Sequence, residues 1–297
     1  MRVACIGEAM VELSLDRSGT TAQVGFAGDT LNTGVYLKRA APELDVSYVT
    51  RLGRDAFSDR LRGFITSHGL ETDRIEVSTT ETVGLYAIST DAEGERSFTY
   101  WRGQSAARGL FQSGEGTDFT SLVGIDVVFL SAITLAILPD PVRIALFDFL
   151  RGYRARGGRV VFDSNYRPKL WETPETARAR IAEMWRLTDI ALPSVDDEMA
   201  IFGDVDEDAV LARFHALGVG DGALKCGATG PRSLGVTVEQ TYPEATDVVD
   251  TTAAGDSFNG GYLGAILTGA TQAEAMMAGH ELAAYVVGHR GAIAPPR

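Results

Sequence analysis

The chain has 297 residues, 45% of them hydrophobic and 23% charged, proportions that suit a single large domain with ample core. Lys and Arg number 27 against 40 Asp and Glu, a formal charge of −13. An acidic chain of this kind is repelled by phosphate backbones and anionic lipids, which argues against nucleic-acid and membrane-surface partners while leaving room for a small ligand.

In chain order, the run "MRVACIGEAM" meets Glu8 at once and reads as a first strand, not as a leader. Residues 10–27 read as two short strands around a "DRSGTT" turn, and "FAGDTLNTGVYLKR" then opens a helix near Thr30, for which Asp29 is a candidate cap. Strand-like runs follow at "VSYVT", "VVFLS", "RVVFD", "DIALP" and "GALKC". Helical spacing lies between them at 55–68, 140–156, 175–187 and 206–217, the last with Val210, Leu211, Phe214 and Leu217 on one stripe. Strand alternating with helix predicts an α/β fold with a doubly wound, mostly parallel sheet, its ligands at the carboxyl ends of the strands.

Residues 82–102 break that rhythm. "TVGLYAIST-DAEGE-RSFTYWR" is a hairpin signal, with Phe98, Tyr100 and Arg102 on one face and Ser97, Thr99 and Trp101 on the other. With 10–27 it is expected to form a small separate sheet. The apolar segment "IDVVFLSAITLAIL" is interrupted by Asp126, Ser131 and Thr134 and is too short to span a bilayer, so a cytoplasmic protein is expected. Cys5 and Cys226 lie in apolar runs and predict buried, reduced thiols. The four histidines have no zinc spacing.

No phosphate-binding G-x-x-x-x-G-K-[ST] run is present. Gly218, Gly220 and Ala223 spell G-x-G-x-x-A, but between a helix and a strand, the reverse of the dinucleotide-binding context. The strongest chemical signal is "VVDTTAAGDSFNGGYL". Small residues 251–255 turn the chain into a helix closed by Gly269, and Asp256 lies in its first turn. Free amides at a helix start favour an anion, small side chains let a phosphate approach, and the carboxylate could take a proton from an attacking hydroxyl. An acid that only complements the helix dipole explains the local pattern equally well.

"DTTAAGDSF" resembles the carboxy-terminal signature of the PfkB (ribokinase-like) carbohydrate kinases, D-T-x-G-A-G-D, with Ala253 in place of the first glycine of G-A-G-D. That departure requires a backbone conformation at Ala253 that a Cβ-bearing residue can adopt. "FAGDTLNTGVYLKR" is similar to the family's G-G-x-x-x-N element through Ala27, Gly28 and Asn32, and "VTRLGRDAFSDRL" to its G-x-D element. The resemblance covers nearly the whole chain. It implies a three-layer α/β/α fold with a β-sheet lid from about 10–27 and 82–102, ATP with Mg2+ and a possible K+, and a homodimer or higher homo-oligomer. It makes Asp256 the catalytic base and the backbone of Ala253, Ala254 and Gly255 an anion hole. Gly28, Asn32 and Asp29 become sugar ligands.

Asp29 in "GDTLN", with "YWRGQSAAR", "DSNYRPKLW" and "ALPSVDDE", is more similar to the 2-keto-3-deoxygluconate kinases of that family. An acidic sugar fits Arg102 and Arg167, whose forked donors suit a carboxylate, with Tyr86 and Tyr100 beside them. Arg167 also has an alternative, a pairing with Asp163. "LKCGATGP" resembles the nucleotide turn and implies contacts from Lys225, Gly227 and Gly230. Ser164 and Asn165 are placed at phosphate and His280 near adenine, although a histidine without a ligand fits equally. The metal-linked N-x-x-E element is degraded to Ser194-x-x-Asp197, with Glu198 one residue late, so Asp197 and Glu198 are the indirect metal candidates. "GHRGAIAP" resembles the tail near a monovalent-cation site. A kinase for another sugar acid or a ketohexose, and a non-catalytic sugar-binding regulator, remain as alternatives.

Overall fold

The computed structural model describes residues 1–16, 18–90 and 96–297. Parts of the two expected turns, residue 17 of "DRSGTT" and residues 91–95 of "DAEGE", lie outside these.

The six strand-like runs become the strands Arg2–Ile6, Asp45–Val49, Val127–Ser131, Arg159–Asp163, Ile190–Ala191 and Ala223–Leu224. The first five pair in parallel, in the spatial order 190–191, 159–163, 127–131, 2–6, 45–49, and bridges from Ala191 to Gly222 and from Ser194 to Lys225 carry on toward the sixth. Alternation along each strand feeds two cores. Ala4, Ile6, Val128, Leu130, Val160 and Phe162 pack on one side with Leu146, Ile181 and Phe214. Val3, Cys5, Val46, Tyr48, Val127 and Phe129 pack on the other with Leu31, Leu61, Leu263 and Met276. A sheet buried on both faces by helices is the three-layer arrangement expected. Both cysteines are reduced and buried.

Arg2–Ile6 has its sequence successor Asp45–Val49 on one flank and Val127–Ser131 on the other. The winding reverses there, so the carboxyl ends near Ile6 and Ser131 are the switch point at which such sheets bind ligands. Two helices aim their starts at that end. Asp29–Ala40 and Ala254–Leu267 pack side by side because Gly260 has no side chain; a Cβ there would lie 2.4 Å from that of Tyr36.

The interrupting segments form a separate four-stranded sheet in the order Ala22–Ala27, Met10–Leu15, Gly84–Thr90, Arg96–Trp101. Tyr86 stands opposite Tyr100 and Ile88 opposite Phe98, so the three rings share one face, with Tyr86 and Tyr100 stacked 5.6 Å apart. The Tyr86 end of that face turns inward, where Tyr86, Met10 and Ala27 cluster with Ala292 and with Ala253 at the start of the Ala254–Leu267 helix, while Phe98 and Tyr100 stay exposed. Gly218, part of the discarded dinucleotide pattern, is a left-handed cap ending the Glu207–Leu217 helix. Among the described residues no helix is long and apolar enough to cross a membrane.

Candidate active site

The turn before the Ala254–Leu267 helix is held by Asp250. Its carboxylate accepts from the Thr252 amide at 3.0 Å, the Thr252 hydroxyl at 2.7 Å and the Gly291 amide at 2.8 Å, fastening the turn to the carboxy-terminal tail. Ala253 has φ +60° and ψ +17°, the left-handed region, and caps the helix. A Cβ-bearing residue can adopt this region, as the departure from glycine requires, but the geometry is the one glycine favours and carries a strain of about 1–2 kcal/mol. Ala254 donates its amide to the Thr251 carbonyl at 3.2 Å, which removes it from the expected anion hole. The amides of Ala253 and Gly255 have no backbone acceptor among the described residues.

Asp256 accepts from the Asn32 side-chain amide at 2.8 Å, and its carbonyl accepts from the Thr33 hydroxyl at 3.2 Å. Burial, and after it the charge of Asp29, raise the Asp256 carboxyl well above the carboxylate range, with the Asn32 hydrogen bond opposing them. Gly28, with extended backbone, caps the Asp29–Ala40 helix without a side chain. A Cβ there would lie 2.3 Å from the Glu8 carbonyl, so the glycine sets how closely this helix approaches the Glu8–Ala9 segment that follows the first strand. Asp29 begins the helix and is not its cap. Its Oδ2 accepts from Ser131 and, at 2.8 Å, from the Asn165 amide. Burial also raises Asp29.

Arg102 lies on the lid's aromatic face, but its fork is engaged. Nε, at 2.8 Å, and Nη2 both donate to Glu8, whose carboxylate is fully buried. Gly84 leaves the space for that carboxylate, since a Cβ there would lie 2.6 Å from Glu8 Oε1. Tyr86 donates its hydroxyl to Glu12. Arg167 is exposed and donates to the Tyr166 carbonyl at 2.9 Å. It does not pair with Asp163, as the alternative reading supposed; Asp163 accepts from Lys225 Nζ at 2.9 Å and from the Asn259 amide at 2.7 Å.

Among the residues expected at the nucleotide, Lys225 Nζ also donates to Asn259 Oδ1 at 3.1 Å. Ser164 accepts from the Ser194 amide at 2.8 Å and donates to Asp197 at 3.3 Å. Asp197 is raised by burial and by Asp163, and lowered by Arg167 and Lys225, which locates it among the site's charges. Glu198 does not join it. One residue further along the Val195–Phe202 helix, its carboxylate turns the other way and is buried against Arg213 at 2.8 Å, so its assignment to the metal is withdrawn. Gly227 and Gly230 bound a short turn with φ of +59° and +88°. His280 is buried, its Nε2 2.7 Å from the Pro243 carbonyl and its ring 5.0 Å from that of Tyr242. That satisfies it without a ligand, which is the plainer of the two readings.

Sequence reasoning missed Glu8, Glu12, Ser131 and Asn259. Asn259 carried a usable signal, lying three residues after Asp256 on one helix face. The others carried none, because their partners are distant in the chain.

A profile of the pfkB family carbohydrate kinases matches residues 1–297. Proteins named 2-dehydro-3-deoxygluconokinase from Dickeya dadantii (strain 3937) and Escherichia coli (strain K12) are 43% and 40% identical, each over 99% of this chain and 96% and 97% of their own. The solved 2-dehydro-3-deoxygluconokinase of Thermotoga maritima superposes with a TM-score of 0.85 over 99% of this chain and 94% of that one; at 22% identity this shows a shared fold. With the switch-point cluster, the left-handed turn and the buried Asp256 carboxylate in place, the chain belongs to the pfkB family of carbohydrate kinases.

Proposed function

We propose that this chain is an ATP-dependent kinase for 2-keto-3-deoxygluconate (2-dehydro-3-deoxygluconate), phosphorylating its primary hydroxyl with Asp256 as general base. The observation that carries the reading is the meeting of a buried carboxylate and uncommitted helix-start amides at the switch point, in a chain 43% identical to a protein of that name. The acceptor hydroxyl gives its proton to Asp256 as its oxygen attacks the γ-phosphorus, and the bond to the departing ADP oxygen breaks. The amides of Ala253 and Gly255 face the oxygens of the transferring group. The raised Asp256 is suited to this, since a base works best when its pKa lies near the operating pH.

Gly28, Asp29 and Asn32 form the sugar floor, and Tyr86 and Tyr100 cover it from the lid. Arg102, held on Glu8 through Nε and Nη2, has Nη1 for the sugar carboxylate, and the exposed Arg167, whose charge acts on Asp197, is the second candidate for it. A lid over the site keeps water from competing as acceptor. Ser164, Gly227 and Gly230 line the triphosphate side. Asn165, turned onto Asp29, acts there as a brace between the nucleotide strand and the sugar floor.

Among the described residues no cluster of three or more His, Cys, Asp or Glu could hold a metal. The donor set fits a magnesium ion that arrives on the nucleotide and keeps most of its waters, with Asp197 the carboxylate to hold them. Such an ion supplies charge neutralisation at the β- and γ-oxygens. The tail at 288–295, fastened by Asp250 through Gly291, offers carbonyls for a monovalent cation. Val24 and Trp101 are exposed on the lid's outer face, which suits pairing of lids in a homodimer. Reduced thiols and ATP as substrate suit the cytoplasm.

ADP release measured over 2-keto-3-deoxygluconate, gluconate, fructose and ribose tests the assignment. Turnover is expected on the first far above the rest. Preference for fructose or ribose would replace it with a neutral-sugar kinase, and no turnover on any would favour a non-catalytic binder.

A further inference from the structure

Lys225 is held more firmly than a surface lysine that merely touches a nucleotide. Its Nζ donates to Asp163 Oδ1 at 2.9 Å and to Asn259 Oδ1 at 3.1 Å, and Asn259 closes the ring by donating to Asp163 Oδ2 at 2.7 Å. Both partners are buried, at 3% and 0% exposure. An ammonium has three donors, so one remains. The space beside it is over Gly255: a Cβ built there would meet Lys225 Nζ at 3.6 Å and no other heavy atom within 4 Å. Lys225 is also close enough to act on Asp256, where its charge opposes the upward shift. The ammonium therefore flanks the same small volume as the base and the helix-start amides.

We propose that Lys225 is a catalytic residue whose ammonium neutralises charge on the phosphoryl group as it passes between ADP and the acceptor hydroxyl, and that Asp163 and Asn259 are positioning residues for it. The proposal deepens the kinase reading above and rests on it. The new bond joins the sugar oxygen to phosphorus, the broken one leaves its electron pair on ADP, the hydroxyl proton goes to Asp256, and Lys225 exchanges no proton. A cation fixed beforehand by a carboxylate and an amide needs no reorganisation during transfer, which is the condition for large electrostatic stabilisation. A ground-state anchor for ATP would act on KM; a group that acts in the transition state acts on kcat.

The test uses Lys225→Met and the double variant Asp163→Asn/Lys225→Met, which removes both buried charges and leaves none unpaired. In the double variant kcat is expected to fall at least 100-fold, with the KM for ATP within about 3-fold and a melting temperature near wild type. Mg·ADP with aluminium fluoride, in the presence of the sugar acid, mimics the transferring group. Both variants should lose affinity for it at least 100-fold while binding ADP alone within about 3-fold of wild type. Recovery of wild-type kcat in the double variant would reduce Lys225 to a structural partner of Asp163, and equal losses for ADP and the fluoride complex would make it a ground-state anchor. Either result overturns the proposal. If the wild type turns over none of the sugars, the kinase reading itself fails, and Lys225 falls with it; that outcome is visible without any variant.

Discussion

Asn32 donates its side-chain amide to the Asp256 carboxylate over 2.8 Å, joining residues 224 positions apart. The bond links the Asp29–Ala40 helix to the Ala254–Leu267 helix close to the start of each. It also favours the ionised form of a carboxylate that burial and Asp29 push toward protonation. The protonation of Asp256 is thus a balance among burial, Asp29 and Asn32 on the neighbouring helix, and the charges of Asp163 and Lys225.

The balance has a measurable pH signature. Below its pKa Asp256 is protonated and cannot accept the hydroxyl proton, so kcat/KM should rise with pH along an acid limb whose midpoint lies well above the ordinary carboxyl value near 3.8. A limb at ordinary carboxylate pH would show that the shift is absent. Stability should run the opposite way. A folded-state pKa raised above the unfolded one gives a contribution that is complete below the unfolded value and lost as pH rises through the folded value. Asp256→Asn is neutral throughout, so thermal melts should place it at or above wild type, with a gap that widens as pH rises.

Gly255→Ala separates ligand space from protein space. The added methyl would meet only Lys225 Nζ, at 3.6 Å, and alanine is the better helix former, by about 1 kcal/mol. Melting should be unchanged or slightly higher, while kcat/KM falls at least tenfold because the methyl occupies the approach of the phosphate. Unimpaired turnover would move the transferring group away from Gly255.

Ala253→Gly should relieve the left-handed strain at φ +60°. Part of the gain is offset by the greater freedom of glycine in the unfolded chain, leaving a stabilisation of roughly 0.5–1 kcal/mol. Ala253→Val should destabilise instead, since a β-branched residue tolerates that region worst. Urea denaturation of both variants checks the sign of each effect.

Lys225→Met leaves the buried Asp163 carboxylate without its cation, and removing one partner of such a pair costs about 3–5 kcal/mol. Adding Asp163→Asn should restore most of that. Equal stability of the single and double variants in denaturant would mean that the charge pair is not what holds this part of the site.

Periodicity made the sheet and its helices legible: each of the six apolar runs holds a strand, although the last two shorten to Ile190–Ala191 and Ala223–Leu224, and the aromatic face of the lid followed from parity along 96–101. The motif around Asp256 located a buried carboxylate at a helix start for the same reason, since a helix start is a local feature. What periodicity cannot carry is partner choice. Arg102 was expected to present an open fork, yet Glu8, placed beside it by the pairing of Gly84 with Met10, takes two of its donors. Glu198 matched a spacing within one residue, but one residue along a helix is a turn of about 100°, enough to send it to Arg213. Ala253 shows that a motif can specify backbone conformation more strictly than residue type.

The most direct measurement is the rate of ADP release with 2-keto-3-deoxygluconate and Mg·ATP for the wild type and for Asp256→Asn at matched fold stability. Wild-type turnover on this sugar acid, with loss of roughly 10²–10⁴ in kcat for the variant, is the expected result. A variant that keeps wild-type kcat would contradict Asp256 as the base, and a wild type idle on this substrate but active on another sugar would contradict the assignment of the acceptor.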